Sequence, residues 1–264
     1  MYLSKNSLAK IILTATAFLL LGAVFFCAAY FISKAGISPK PTLILGIVFT
    51  SLALLSFPTG LYAEGISKPI SEGNRLVKKE LDPEKFLLFY NGITDKEKNA
   101  VVRHRYDMLE LLLISYQLQA DKKGAYSAVQ LMKEELSGKY RPKAAVHCAE
   151  LLYDDKEIET ADKLLSGAEE KDGGSELYAM ADAVRKTARA HALSDYETEE
   201  KFYSGLLSAT GIFKPDNAAA LLAHYRLYDV CKKTDRETEA KAHLQYCAEN
   251  GGKTAVRRRA KSLL

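Results

Sequence analysis

The chain begins with two long stretches that contain no charged side chain, residues 11–33 and 41–63, separated only by residues 34–40. Each is close to the ~20 apolar residues that a helix needs to cross a ~30 Å hydrocarbon core. After Glu64, charged and apolar positions are mixed at helical spacing. The pattern predicts a two-helix transmembrane hairpin in residues 1–64, followed by a helical domain outside the membrane.

The domain is predicted to consist of helices that start and stop at regular intervals. The apolar run from Met108 to Ile114 is too continuous for a surface helix, so we expect it at the buried centre. Helix-capping side chains and helix-ending glycines then alternate. The candidate N-caps are Asp82, Asp121, Asp155, Ser194 and Thr234, the last two with a glutamate three residues on, and the candidate glycines are Gly138, Gly173, Gly211 and Gly251. Their spacing predicts helix–turn–helix units with a period of roughly 34 to 40 residues.

One of these units carries a family resemblance. Residues 143–173 place small, large and small side chains in the order Ala149, Leu152, Ala161, Leu165 and Ala168, and this spacing resembles the tetratricopeptide-repeat family. Residues 224–251 repeat it less closely, and the intervening unit departs from it, with Glu200 where a small residue is expected. The resemblance implies an all-α fold: a TPR-like α-solenoid over residues 105–264, ending in a basic capping helix. Residues 65–104 are then a membrane-proximal helical linker or an irregular first repeat.

The net charge suggests a basic protein, but the positive charge is unevenly distributed along the chain. The whole chain has a formal charge of +4, and its excess of lysine and arginine over acidic residues is concentrated in residues 1–64 and in the last twelve residues. Residues 65–250 carry about −4. Such a domain lacks the broad basic surface of a dedicated nucleic-acid-binding protein, so no nucleic-acid partner is expected.

The flanking charges also predict an orientation. Lysine and arginine precede the first stretch and follow the second, whereas the connecting loop holds only Lys34 and Lys40. Because positive flanks are held in the cytoplasm, both termini and the domain are predicted to be cytoplasmic. The odd number of cysteines after residue 64 agrees with a reducing compartment. Neither stretch has an ionisable side chain, which favours an anchor in membrane lipid over an ion pathway.

The sequence shows no pattern typical of catalysis, of a cofactor or of a metal site. Cys148, Cys231 and Cys247 are never at metal-binding spacing, and Cys148 and Cys247 are expected to be small buried side chains. The five histidines match no acid–base or metal motif. Residues 257–259 are three arginines near the end of the chain, which either cap the solenoid or bind lipid headgroups. We therefore expect a protein that is not an enzyme.

The predicted function is a membrane-anchored scaffold for protein–protein interaction. The resemblance implies a groove formed by the first helix of each pair, which would bind an unidentified protein or peptide, such as a segment of another membrane protein. The alternative is a helical-repeat enzyme or a regulatory subunit of a membrane complex. The groove positions are Lys143, His147, Glu150, Tyr153, Arg185, Arg189, Tyr225, Arg226, Asp229 and Lys232.

Overall fold

A computed structural model describes residues 5–93, 102–171 and 174–264, with side chains for residues 12–56, 68–93, 104–171 and 174–264. Every regular element within these ranges is a helix, as expected for an all-α protein. The chain divides into two compact units, Met1–Pro69 and Ile70–Leu264. The predicted helix-ending residue Gly173 lies outside the described ranges.

The first unit contains α1 (Lys5–Lys34) and most of α2 (Lys40–Asn74). The two helices approach closely because small residues lie between them. A Cβ added at Gly22 would lie 2.6 Å from Thr50 Oγ1, and the rings of Phe25 and Phe49 stack with centroids 5.3 Å apart. The buried small residues recur every seven positions, at Ala15, Gly22 and Ala29 on α1 and at Gly46 and Ala53 on α2. This is the spacing of helices packed along one seam, as in membrane hairpins.

One helix among the described residues is long and apolar enough to cross a membrane. It is the Ile12–Lys34 part of α1, with 23 residues and a mean hydropathy of 2.3. The described apolar part of α2, Lys40–Ser56, is shorter than a span. The second predicted span, residues 41–63, continues into residues 57–67, whose side chains lie outside the description. The structure therefore supports one candidate span and leaves the second as a prediction.

The second unit begins at the end of α2, which continues through a π-helical turn, Arg75–Lys79. A second π-helical turn, Arg185–Arg189, and the short Ala190–Ala192 segment extend the helix Ser175–Val184, which is α8. The remaining helices are α3 (Pro83–Gly92), α4 (Val102–Leu118), α5 (Lys122–Glu135), α6 (Arg141–Asp154), α7 (Ile158–Lys171), α8 (Ser175–Val184), α9 (Tyr196–Ser208), α10 (Asn217–Lys233), α11 (Glu237–Asn250) and α12 (Ala255–Leu263).

Two of the five predicted N-caps are confirmed. The Asp82 carboxylate accepts a hydrogen bond from the Lys85 backbone N–H at 3.1 Å, and Asp121 caps α5 in the same way. The cap predicted at Ser194 is displaced by one residue, because Asp195 caps α9. The predictions of Asp155 and Thr234 as N-caps are wrong, since each residue lies at the C-terminal end of the preceding helix.

The same backbone turn explains both errors. At four places a helix ends in a residue with a left-handed backbone, and the next N–H donates to a carbonyl five residues earlier. After α6, for example, Lys156 has a φ of 63° and the Glu157 N–H donates to the Leu152 carbonyl at 2.9 Å. This is a helix-terminating turn of the Schellman type. The left-handed residues are Ala120, Lys156, Ser194 and Asp235, spaced 36, 38 and 41 residues apart.

The consecutive helices α4–α5, α6–α7 and α10–α11 pack as pairs. The positions that carried the family resemblance are buried there: Ala149, Ala161 and Leu165 are fully buried between α6 and α7. The apolar run of α4 is also buried from Met108 to Leu113, except for the partly buried Glu110. Cys148, Cys231 and Cys247 are buried, as predicted for the first and the last of them. The sequence pattern thus identified much of the helix–helix contact surface.

The first and last elements of the second unit share one hydrophobic core. Leu76 and Phe86 belong to the same cluster as Cys247 and Val256, whereas Tyr153 and Leu165 belong to a second cluster in the middle of the chain. The loop after α11 also meets the start of the unit, because the Lys253 N–H donates to the Leu81 carbonyl at 2.9 Å. An open solenoid brings together only neighbouring repeats. The contact between the two ends is not a feature of an open solenoid, so the predicted solenoid remains a prediction.

Candidate functional site

The ten residues of the predicted groove fall into three separate polar groups. The first connects α4, α6 and α8. Lys143 is buried, and its Nζ lies 2.5 Å from Glu176 Oε1 and 5.0 Å from the Tyr106 ring centroid. His147 Nε2 is 3.1 Å from the Tyr106 hydroxyl, and its Nδ1 is 3.8 Å from a carboxylate oxygen of Glu150. Most of these groups are already bound to each other.

The second group holds α8 and its π-helical turn against α7. The hydroxyl of the fully buried Tyr153 donates to Asp162 Oδ1 at 2.5 Å, and Arg189 Nε donates to the same oxygen at 2.9 Å. Burial acts to raise the pKa of Asp162, but these two hydrogen bonds outweigh it and lower the pKa. Arg185 forms a bidentate pair with Glu169, at 2.8 and 2.6 Å. Tyr153 is thus a core residue and not part of an open surface.

The third group lies on α10. Arg226 donates to Asp154 Oδ1 at 3.1 Å, which connects α10 to the end of α6. Tyr225 lies below the Arg259 guanidinium, with 5.9 Å between the guanidinium carbon and the ring centroid. Lys232 is exposed, and its Nζ is 3.4 Å from the Tyr228 hydroxyl. Burial raises the pKa of Asp229, although the charge of Arg226 opposes this.

Three residues that the sequence analysis did not select, His191, Glu199 and Tyr203, form a polar cluster with Arg226 and Asp229. Glu199 is fully buried, and its Oε2 lies 3.0 Å from His191 Nδ1. Its other oxygen has no hydrogen-bond partner among the described residues. Burial raises the pKa of Tyr203, and the charge of Arg226 acts in the opposite direction. Glu199 is the buried member of this cluster, and the other four side chains are partly exposed.

A concave surface with exposed cationic side chains lies elsewhere. A cavity of about 780 Å³ is bordered by α5, the short helical turn Gly138–Tyr140, the start of α6 and the face of α7. Its lining includes five cationic side chains and no acidic one. We name this surface the basic groove, defined by Lys133, Lys139, Arg141, Lys163 and Lys171.

The charges of the basic groove are exposed, and its floor is apolar. All five cations are solvent-accessible, whereas Leu164 is half-buried and Ala168 is buried. Nearby acids are engaged elsewhere, since Glu135 pairs with Arg105 and Glu169 with Arg185. Within the described ranges, none of the five cations forms an ion pair.

A second cavity of about 540 Å³ continues the basic groove. The two cavities share Lys133, Lys163 and Leu164, so they form one elongated depression along α5 and α7. The second part adds mainly uncharged side chains, including Val129, Leu152 and Cys148. The depression therefore has a strongly cationic part and a more apolar part.

The sequence analysis missed the basic groove because it placed the binding surface on the first helix of each pair. The largest share of the groove lining comes from a second helix, α7, and the rest comes from the end of α5, the turn at residues 138–140 and the start of α6. One signal was present in the sequence: Lys163, Gly167 and Lys171 are four residues apart and therefore share one face of α7. No atom lies within 4 Å of the position that a Gly167 Cβ would take, so this face is open.

The described residues contain no group of three or more potential metal-ligating side chains. Burial raises the pKa of the Cys247 thiol to about 12, which leaves it protonated near neutral pH. Comparison with family models, with curated proteins and with solved structures gave no match to this chain. The functional conclusion rests on the geometry described above.

Proposed function

We propose that this protein is a membrane-anchored scaffold whose helical domain binds a segment of another protein. The observation that carries the proposal is the basic groove, an elongated depression with an apolar floor and five cations that form no ion pair among the described residues. Surfaces between stacked helices bind polypeptides in many helical-repeat proteins. The paired helices α6–α7, with small residues at their contact, support a TPR-like unit at the centre of the domain.

We further propose that α1 and α2 form a two-span hairpin with the domain in the cytoplasm. Large apolar side chains of both helices face outward, among them Leu13, Leu20 and Leu54, at 70, 63 and 69% exposure. Lipid would cover this surface, while the small residues between the helices allow close packing. The basic flanks support the cytoplasmic orientation.

Site-specific photocrosslinking in native membranes tests the scaffold role. A photoreactive amino acid at Lys139 or Lys171 would lie at the basic groove, and one at the exposed Lys201 on α9 would serve as the control. We expect a discrete protein adduct from the groove positions and none from the control position. The same adducts at all three positions, or no adduct at any of them, would contradict a groove that binds protein.

Protease protection in sealed vesicles tests the orientation. A cytoplasmic domain is digested by protease added to the cytoplasmic face, and the hairpin is protected by lipid. Digestion of the domain only from the opposite face would show that the predicted orientation is wrong.

A further inference from the structure

We propose that the segment bound in the basic groove is acidic and amphipathic, with carboxylates on one side and apolar side chains on the other. The inference rests on the proposed function and adds the chemistry of the partner. Lys133, Lys163 and Lys171 supply the charge from α5 and α7, and Leu164 supplies the central apolar contact.

The concentration of positive charge in the groove is not explained by the composition of the domain. Residues 65–250 carry about −4, yet five cations from four successive elements border one depression without an acidic residue. Like charges at a common surface repel each other, and a polyanionic ligand would relieve that repulsion. The charge therefore selects a partner of opposite sign.

The shape and the floor select a polypeptide over a small anion. A phosphate-sized ligand would occupy one point, whereas the depression extends through two connected cavities. Its floor contains Leu164, Ala145 and Pro142 between the cations, and Val129 and Leu152 farther along. An amphipathic segment would place apolar side chains on this floor while its carboxylates reach the lysines, as in helix-in-groove recognition.

Nucleic acid is a poorer fit to the same surface. Single strands bind through aromatic platforms on which the bases stack. The lining contains one aromatic side chain, Tyr126, whose hydroxyl donates to Asp155 at 2.6 Å. An anionic membrane surface requires no apolar depression between the cations. The acidic polypeptide accounts for both the charge and the floor.

A peptide-binding titration with the full-length protein in detergent micelles tests the inference. The probe is a fluorescent 16-residue amphipathic peptide with glutamates on one face and leucines on the other. Two companion peptides replace every glutamate by glutamine or every leucine by serine. We expect saturable binding of the first peptide, much weaker binding of both companions, and loss of affinity as salt is raised.

Matched variants locate the binding. The double variant Lys133→Gln and Lys163→Gln removes two groove charges, and the control Lys201→Gln and Lys241→Gln removes two exposed lysines from α9 and α11. We expect the groove variant to weaken binding about four- to twenty-five-fold, at about two- to five-fold for each charge, and the control to change it less than about two-fold. Equal effects of the two variants would overturn the proposal.

A second pair of variants adds a side chain without changing the charge. One variant fills the floor of the basic groove, and the other is its control. Gly167→Leu adds a side chain where no atom lies within 4 Å, and Gly205→Leu does the same on α9, away from the groove. Both replace a helical glycine, so both are expected to keep the helical circular-dichroism spectrum. We expect Gly167→Leu alone to weaken peptide binding, and unchanged binding would contradict a peptide seated on Leu164.

Three further outcomes separate the inference from the proposed function. Charge-dependent binding of phosphatidylserine vesicles or of single-stranded DNA, with no peptide binding, would overturn the inference. The ligand of the basic groove would then be a lipid or a nucleic acid and not an acidic segment. Photocrosslinked partners that lack an acidic segment at the adduct would overturn the partner chemistry and leave the scaffold role intact. Peptide binding without any crosslinked partner in membranes would instead count against the scaffold role.

Discussion

At the scale of single residues, the polar interior contains a histidine pair that no sequence motif revealed. His224 on α10 and His243 on α11 approach with 2.9 Å between their Nδ1 atoms, and Tyr246 stacks on His224 with centroids 3.7 Å apart. Burial, and then the charge of His243, lowers the pKa of His224 to about 4. Burial also lowers the pKa of His243, where Glu239 and Glu200 oppose it and Arg236 adds to it. Both rings are therefore neutral near pH 7.

This pair predicts a pH-dependent stability. The unfolded histidine has a pKa near ~6.5, so between that pH and about 4 the unfolded chain binds more protons than the folded one. The histidine contribution to stability is complete above pH 6.5 and is lost as the pH falls toward 4. For His224, the free energy of unfolding can change by at most about 1.4 kcal/mol per pH unit. The observed change should be smaller, because solvent screens a half-buried ring.

Denaturant unfolding of the full-length protein between pH 7 and 5 measures the effect. His224→Gln should flatten the pH dependence in this range, and Gln245→Ala on α11, which removes an exposed side chain that does not titrate, should leave it unchanged. The range lies above the ordinary pKa of the carboxylates, and comparison of the variant with the wild-type protein at each pH cancels the contribution of Asp229, whose pKa is raised by burial. An unchanged slope in the His224 variant would show that the pair is not kept neutral by its surroundings.

At the scale of helices, the sequence predicted where the elements lie better than how they end. Asp82 and Asp121 were identified as N-caps because the cap is a local hydrogen bond between near neighbours in sequence. Asp155 and Thr234 were assigned wrongly because their helices end in a left-handed residue that is not glycine. Such a residue has no compositional signal, since tertiary packing compensates for its unfavourable backbone conformation.

The basic groove could also be predicted only in part from the sequence, because several helices contribute to it. Helical spacing alone places Lys163, Gly167 and Lys171 on one face of α7. The contributions of Lys133 on α5 and of Arg141 on α6 depend on how three helices pack, which periodicity does not encode. Burial of Lys143 and Tyr153 within ion-pair networks likewise follows from tertiary contacts.

The left-handed residues predict a stabilising substitution. Lys156 has a φ of 63° and an exposed side chain, so Lys156→Gly should remove backbone strain without loss of packing. We expect a gain of about 0.5–1 kcal/mol in the free energy of unfolding. Lys201→Gly, an exposed residue inside α9, should lower it by about 1 kcal/mol. Urea unfolding compares the two, and a loss of stability in the Lys156 variant would contradict the assigned turn.

At the scale of the whole second unit, the contact between its two ends predicts a sensitive position. Gly252 has a φ of 55°, and a Cβ there would lie 2.6 Å from the Leu81 carbonyl oxygen and 2.9 Å from that of Glu80. Gly252→Ala would combine a steric clash with backbone strain, and we expect it to lower the free energy of unfolding by about 2–3 kcal/mol.

The matched control for this position is Gly205→Ala, a helical glycine with open space around it. It should raise stability by about 0.5–1 kcal/mol. Differential scanning calorimetry measures both changes. If the two variants melted alike, the end-to-end contact would contribute little to the fold.

The division at Pro69 predicts that the second unit is separable from the first, which we propose to be the membrane anchor. A fragment beginning at Ile70 retains the whole shared core, from Leu76 to Ala260. We expect it to leave the membrane fraction in alkaline carbonate and to give a helical circular-dichroism spectrum, whereas the full chain remains in the pellet. A fragment that stays with the membrane or shows a β spectrum would contradict this division.

The contact of Lys253 with Leu81 and Asp82 also constrains how the protein is made. The side-chain bond to Asp82, at 2.7 Å, joins positions 171 residues apart, and α12 adds Val256 and Ala260 to the shared core. During synthesis the chain grows from its N-terminus, so the helices around Leu76 and Phe86 are made well before the residues that complete their core. A polypeptide that stops before Lys253 leaves this core open. Such a product is expected to be recognised and degraded.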